Sequence, residues 1–224
     1  MFVLSTLVGL VTAAVLNSLS DILPRFSPNA PDNLPITAWW RVRRTQEPLT
    51  WHSLLPLGNL IFTTFAFGLM AAKFGLSWRF AFFATCFSLL MLIALIDLKY
   101  RLVLNVVIYP LSVIIVMGQA CFFPQDILRV LFGGGIAFGV FFLTAFIKPG
   151  QLGGGDIKLA TLIGLAFGFP DMLWALLVGG GVGAIMALLF IMQGKGRTFA
   201  MPYAPFLCFG AMIALLINPF AGLV

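Results

Sequence analysis

Lys148–Thr161 reads KPGQLGGGDIKLAT, and in it a chain of very apolar composition places an aspartate directly behind three consecutive glycines. Glycine has no Cβ, so Gly153, Gly154 and Gly155 admit backbone conformations and close backbone approaches that other residues forbid. That property suits a site that handles peptide. The run from Ile157 to Phe169 is apolar and free of proline, so Asp156 falls where a helix begins, its carboxylate near the positive end of the helix dipole. A helix N-cap accounts for Asp156 as readily as a chemical role does, and the rest of the chain has to decide between them.

The chain has 224 residues, of which 61% are hydrophobic and only 9% charged, and its mean hydropathy is +1.08. Such a composition excludes an ordinary soluble domain and points to a protein whose solvent is mostly lipid. Backbone groups in lipid must be satisfied within each segment, and the apolar runs lack strand-like alternation, so the spans are expected to be helices. The fold class is therefore all-α and polytopic. Eight spans are predicted, at 2–22, 54–72, 79–97, 105–122, 127–147, 157–169, 172–192 and 204–222. They form a single membrane-embedded domain over residues 1–224, with a short cytoplasmic segment, 23–53, between the first two spans. The N-terminal run carries no Lys or Arg ahead of it, unlike a cleavable signal peptide, and reads as a retained first span. Cys86, Cys121 and Cys208 lie in different apolar runs with no CxxC pair, which supports neither a disulfide framework nor a zinc site.

Charge sets the orientation. One side of this arrangement receives Arg25, Arg41, Arg43, Arg44, Lys99, Arg101, Lys148, Lys158, Lys195 and Arg197, ten in all, and the other only Lys73, Arg79 and Arg129. By the positive-inside rule the ten are cytoplasmic and both termini face outward. The net charge of +6 then has the anionic cytoplasmic leaflet as its partner and needs no nucleic acid. The segment 23–53 holds Trp39, Trp40, Trp51 and the lone histidine, His52; it is too short for an independent domain. Glycines at Gly133–Gly139 and Gly179–Gly183 fall inside predicted spans, where close helix packing explains them.

Seven acidic residues make their positions informative. Asp126 and Asp171 fall in outward loops, Asp32 and Glu47 in the cytoplasmic segment, and Asp21 near the inner end of the first span; all are expected to be solvated or interfacial. Asp97 remains. It ends the third span in LLMLIALIDLKYRLVLN, at the same side of the membrane as Asp156. A plain reading pairs it with Lys99 or Arg101 at the interface. The functional reading notes that two aspartates in one site can hydrolyse a peptide, one taking a proton from water while the other, protonated, polarises the carbonyl. Asp156, at a helix N-terminus, is expected to favour its ionised form and Asp97, at a helix C-terminus, its protonated one.

These stretches resemble the type IV prepilin peptidases, membrane aspartic proteases of the GxGD type. Gly153, Gly154, Gly155 and Asp156, continued by Ile157, Lys158 and Leu159, correspond to the family's second catalytic motif, and IDLKYRLVLN, with Asp97, to its first. LNSLSDILPRF from Leu16, LTWHSLLPLGNLIF from Leu49 and MPYAPFLCFGA from Met201 are similar to the end of its first span and the starts of its second and last, so the likeness covers nearly the whole chain. The resemblance implies an endopeptidase that cuts the basic leader from prepilins or pseudopilins on the cytoplasmic side of the bacterial inner membrane, with Asp97 and Asp156 as catalytic residues. Gly153 and Gly155 would shape the loop that accepts the substrate backbone, and Lys158 would bias the local charge. Many members then N-methylate the new terminus with S-adenosylmethionine. Here the chain departs from the pattern: the cytoplasmic segment has no paired CxxC motifs, and Asn59 stands where the bifunctional members carry a glutamate. No metal is expected, and both departures argue against methyl transfer. The alternatives from other classes are a small transporter or channel and a non-catalytic pilus or secretion assembly protein.

Overall fold

The computed structural model describes residues 2–26, 51–122, 127–147, 152–192 and 203–217. Among these the chain forms helices α1 (Phe2–Ile22), α2 (Trp51–Phe74), α3 (Trp78–Tyr100), α4 (Asn105–Phe122), α5 (Ile127–Ile147), α6 (Gly154–Phe167), α7 (Met172–Met192) and α8 (Ala204–Ile217), with a short 3-10 turn at Leu23–Phe26. Each expected span overlaps one of them. Five, α1, α2, α3, α5 and α7, contain stretches long and apolar enough to cross a membrane, so the protein is a multi-pass membrane protein. Most of the segment 23–53, with Trp39, Trp40 and its arginine cluster, lies outside the described residues, as do Lys148, Lys195 and Arg197.

By its contacts the chain divides into two compact units, Met1–Leu102 and Val103–Val224. In the first, α1 packs along α2, and both meet α3. A Cβ on Gly9 would stand 2.9 Å from Phe67 Cβ, so the absence of a side chain lets the two helices approach. Polar side chains add to this apolar contact. The Asn59 amide donates to the Ala13 carbonyl (3.0 Å) and to Asn17 Oδ1 (2.9 Å), Thr63 donates to Asn59 Oδ1 (2.8 Å), and Asn17 donates to the Pro56 carbonyl (3.3 Å). Every one of those side chains is buried, so each group needs its partner. Aromatic rings join α2 to α3, with Phe67 edge-on to Phe80 and Phe87, and Phe74 against Phe83 at 4.8 Å.

In the second unit the tightest pair is α5 with α6. A Cβ at Gly133 would overlap the Gly164 carbonyl oxygen, one at Gly164 the Gly133 carbonyl oxygen, and one at Gly134 would come within 2.5 Å of Leu165. Gly179 and Gly210 bring α7 and α8 together in the same way, whereas Gly135, Gly139 and Gly181 meet nothing within 4 Å. The glycine runs thus serve packing, as their placement inside spans implied, but through some of their members only. Gln119 of α4 donates to the Ala166 carbonyl of α6 at 2.9 Å.

The sixth helix departs from expectation at both ends. It begins at Gly154, three residues before Ile157, and stops at Phe167. Gly168, with a positive φ (66) and an extended ψ (173) open to glycine, closes it by donating its N–H to the Gly164 carbonyl, and sits against the backbone of Arg129. At 14 residues it is ~21 Å long, against a hydrocarbon core of ~30 Å.

Candidate active site

Asp97 lies in the last turn of α3, its side chain buried to 5% exposure. The turn before it is covered all round: the consecutive residues Ile93, Ala94, Leu95 and Ile96, which face every side of α3, are all buried. The helix ends in Arg101, which takes a left-handed conformation (φ 55, ψ 40) and donates its N–H to the Asp97 carbonyl at 2.9 Å. Lys99, offered by the plain reading as the cation for Asp97, goes elsewhere. Its ammonium meets Asp21 Oδ1 at 2.7 Å and Ser20 Oγ at 2.7 Å, and the Tyr100 hydroxyl donates to the same Asp21 oxygen at 3.2 Å. Asp21 is therefore half of a part-buried ion pair at the inner end of the first span.

Asp156 belongs to the second unit. Gly153, not Asp156, is the N-cap of α6; the aspartate is the third residue of the helix, and its Oδ2 accepts from the Gly153 N–H at 3.3 Å. The carboxylate thus reaches back to satisfy a donor that the helix start leaves open. Burial pushes the Asp156 carboxyl above its ordinary value of 3.8, and the bond from Gly153 offsets only part of that. Removal from water thus opposes the support that the helix N-terminus and the Gly153 donor give to the ionised form.

The three glycines before Asp156 are not equivalent. A Cβ on Gly155 would fall 2.6 Å from Val103 Cβ, and one on Gly153 would lie 3.3 Å from Asp156 Oδ2, while one on Gly154 would meet nothing within 4 Å. Gly155 is thus filled by the protein's own Val103, and two of the three glycines belong to the helix instead of a loop. Lys158 turns to α4, where its ammonium donates to Asn105 Oδ1 at 2.9 Å and sits 5.7 Å from the centre of the Tyr109 ring. It ties the start of α6 to the start of α4.

Residues 84–223 match the model of the type IV leader peptidase family. The chain belongs to that family. The matched span contains Asp97, the GGGD run and Lys158; Asp21 and Asn59 precede it. Two curated relatives carry the description prepilin leader peptidase/N-methyltransferase. One, from Bacillus subtilis (strain 168), is 24% identical over 164 residues, which are 73% of this chain and 66% of the relative. The other, from Legionella pneumophila, is 35% identical over 77 residues, 32% of this chain and 27% of the relative. The chain thus spans just under two thirds of the first relative's length and about a quarter of the second's. No solved structure matches it.

One more residue of this leader peptidase family member joins the surroundings of Asp156. Tyr203, just ahead of α8, lies close enough for the Asp156 charge to act on it; burial first and that charge second raise its hydroxyl above the ordinary tyrosine value. The glycines of α7 make room for its ring: a Cβ on Gly183 would be 3.3 Å from Tyr203 Cε2 and one on Gly180 3.4 Å from its hydroxyl. Sequence reasoning did not single out Tyr203, although MPYAPFL was among the stretches that carried the resemblance. Gly153, Gly155, Asp156, Lys158 and Tyr203 all lie in the second unit, and Asp97 in the first. Of the remaining acids, Asp171 pairs with Arg129 at 3.5 Å, while Asp32, Glu47 and Asp126 lie outside the described residues.

Proposed function

We propose that the chain is a membrane aspartic endopeptidase that removes the basic leader peptide from type IV prepilins or pseudopilins. It would do so at the cytoplasmic face of the bacterial inner membrane, with both termini outward and Asp97 and Asp156 as its catalytic residues. The observation that carries this reading is that a single family match, to the type IV leader peptidases, takes in both aspartates in their motifs. The charge asymmetry of the loops supports the orientation. The same match speaks against a transporter, and the intact Asp97 and Asp156 speak against an assembly protein that has kept the peptidase fold without its activity.

In the reaction one carboxylate takes a proton from water as its oxygen attacks the scissile carbonyl carbon, while the other carboxyl gives its proton to the carbonyl oxygen. Collapse of the tetrahedral intermediate breaks the C–N bond, the departing amine takes up a proton, and the pair returns to its starting charge. Burial acts on both carboxyls, and a coupled pair titrates as one unit, so the acid and base roles belong to the pair. The Asp156 charge also acts on the Tyr203 hydroxyl, which burial and that charge keep protonated. Cleavage requires no metal in this scheme.

The two relatives' description includes N-methyl transfer, and the resemblance assigns S-adenosylmethionine as methyl donor. Asn59 does not fit that role. Both its amide hydrogens and its oxygen are engaged by Ala13, Asn17 and Thr63, so the position serves helix packing. We therefore expect cleaved product without an added methyl group.

The decisive experiment incubates purified protein in detergent with prepilins and reads product masses. Asp97→Asn and Asp156→Asn, near-isosteric but not titratable, are expected to lower turnover by at least about a hundredfold while remaining folded. The double variant should be no worse than either single one, because the two act together. Turnover against pH is expected to be bell-shaped, with its falling limb above the ordinary aspartate value of 3.8, since burial holds the proton on Asp156. Substantial cleavage by either folded amide variant would end the aspartic reading, and methylated product would overturn the expectation drawn from Asn59.

A further inference from the structure

The first unit contains a polar cluster that the proposed reaction does not use. Asp21, in the last turn of α1, and Lys99, in the last turn of α3, form an ion pair at 2.7 Å with side chains only 11% and 10% exposed. Ser20 Oγ supplies the ammonium with a second partner at 2.7 Å, and the Tyr100 hydroxyl donates to the oxygen of Asp21 that already receives Lys99. A pair so far removed from water is poor evidence for stability, because desolvation of both charges opposes their attraction. Its geometric effect is clearer: it fixes which way the end of α3 faces.

We propose that Asp21 is a positioning residue for Asp97. The proposal rests on the catalytic assignment of Asp97 made above. Asp97, Lys99 and Tyr100 share the final turn of α3, and that turn has no helix beyond it to hold its rotation. Its closure is the Arg101 N–H on the Asp97 carbonyl, made by a residue in a left-handed conformation that L side chains adopt reluctantly. Two donors of the turn, the Lys99 ammonium and the Tyr100 hydroxyl, converge on one oxygen of Asp21. Successive helical residues are ~100° apart, so Lys99 projects ~200° from Asp97. Tyr100, three residues on, projects ~60° from Asp97, so the Asp21 carboxylate holds the turn at two points around its circumference and thereby sets the rotation of Asp97. It also keeps the Lys99 cation committed to α1.

The test compares wild type, Asp21→Asn, Asp21→Glu, Tyr100→Phe, Asp21→Asn/Lys99→Met and Asp97→Asn, each purified in detergent. Prepilin cleavage is expressed per folded molecule from size exclusion and thermal unfolding. Asp21→Asn is expected to lower kcat about tenfold with KM little changed, since substrate contacts are untouched. Asp21→Glu, which keeps the carboxylate, should recover most of that loss. The double variant should be no worse than Asp21→Asn alone, because both changes remove one device. Tyr100→Phe, which deletes a single hydroxyl, is expected to lower kcat about threefold and still fold, and it carries the test if Asp21→Asn does not fold.

Wild-type kcat in folded Asp21→Asn, or failure of Asp21→Glu to do better, would overturn the proposal. So would activity that falls only with the folded fraction, or unchanged kcat in Tyr100→Phe when Asp21→Asn is unfolded. The Asp97→Asn arm separates the two claims. If that variant turns over normally, the catalytic assignment itself fails; if it is dead while Asp21→Asn is normal, only the positioning role does.

Discussion

At the scale of single residues, the spacing in GGGD has a steric basis that can be tested by substitution. Gly155 has no room for a methyl group because Val103 Cβ would stand 2.6 Å away, whereas Gly154 faces open space. A β-branched neighbour has few rotamers into which to retreat, so Gly155→Ala must displace the first turn of α6 and Asp156 with it. Gly155→Ala is expected to lower cleavage about tenfold and to be far more damaging than Gly154→Ala. Adding Val103→Ala should restore much of the loss; equal effects of the two glycine changes, or no rescue, would show that Val103 is not the obstacle. The two candidate aspartates stood out in the sequence because acids are scarce in a lipid-soluble chain, and Asp97 closes one apolar run while Asp156 opens another. The Asp21 and Lys99 pair could not, since its members are 78 positions apart and each has nearer candidate partners. Tyr203 was hidden for the same reason, 47 positions (203 minus 156) from the carboxylate that acts on it. The direction of the Asp156 shift was also out of reach, because a dipole can be read from helix position but burial cannot.

At the scale of helices, α5 and α6 meet backbone to backbone, and the contact depends on particular glycines. Gly164→Ala, whose new methyl would overlap the Gly133 carbonyl, is expected to destabilise the protein by about 1–3 kcal/mol, whereas Gly135→Ala should be close to neutral. Thermal unfolding in detergent measures both, and equal stability of the two variants would mean that the helices separate at no cost. The positions of the eight helices were legible because a span in lipid must be a long apolar run. The ends of α6 were not. Three glycines read as a loop, yet two of them enter the helix, because the Asp156 carboxylate binds the Gly153 N–H and extends the ordered turn backward. At the other end the apolar run continues to Phe169, while Gly168 with its positive φ ends the helix first. The Asn59 cluster was equally invisible, since its hydrogen bonds join α1 to α2.

At the scale of the whole molecule, the proposed orientation rests on ten basic residues against three, and the structure shows where to test it. Lys99 is unsuitable as a labelling site because it is part-buried and engaged in its ion pair, but Arg101 is exposed at the end of α3, and Leu76 is 41% exposed between α2 and α3. In a background without the three native cysteines, Arg101→Cys is expected to react with an impermeant reagent only from the cytoplasm and Leu76→Cys only from outside. The reverse pattern would invert the topology and remove the cytoplasmic site from the proposal. The shortness of α6 also bears on how such a chain is made. A 14-residue helix is ~9 Å short of the hydrocarbon core, so it gains too little from lipid to hold its place alone. Its inward face is shaped to the glycines of α5, the helix synthesised just before it. During biogenesis α6 is then expected to find α5 already made as it leaves the insertion machinery, so the order of translation favours their pairing.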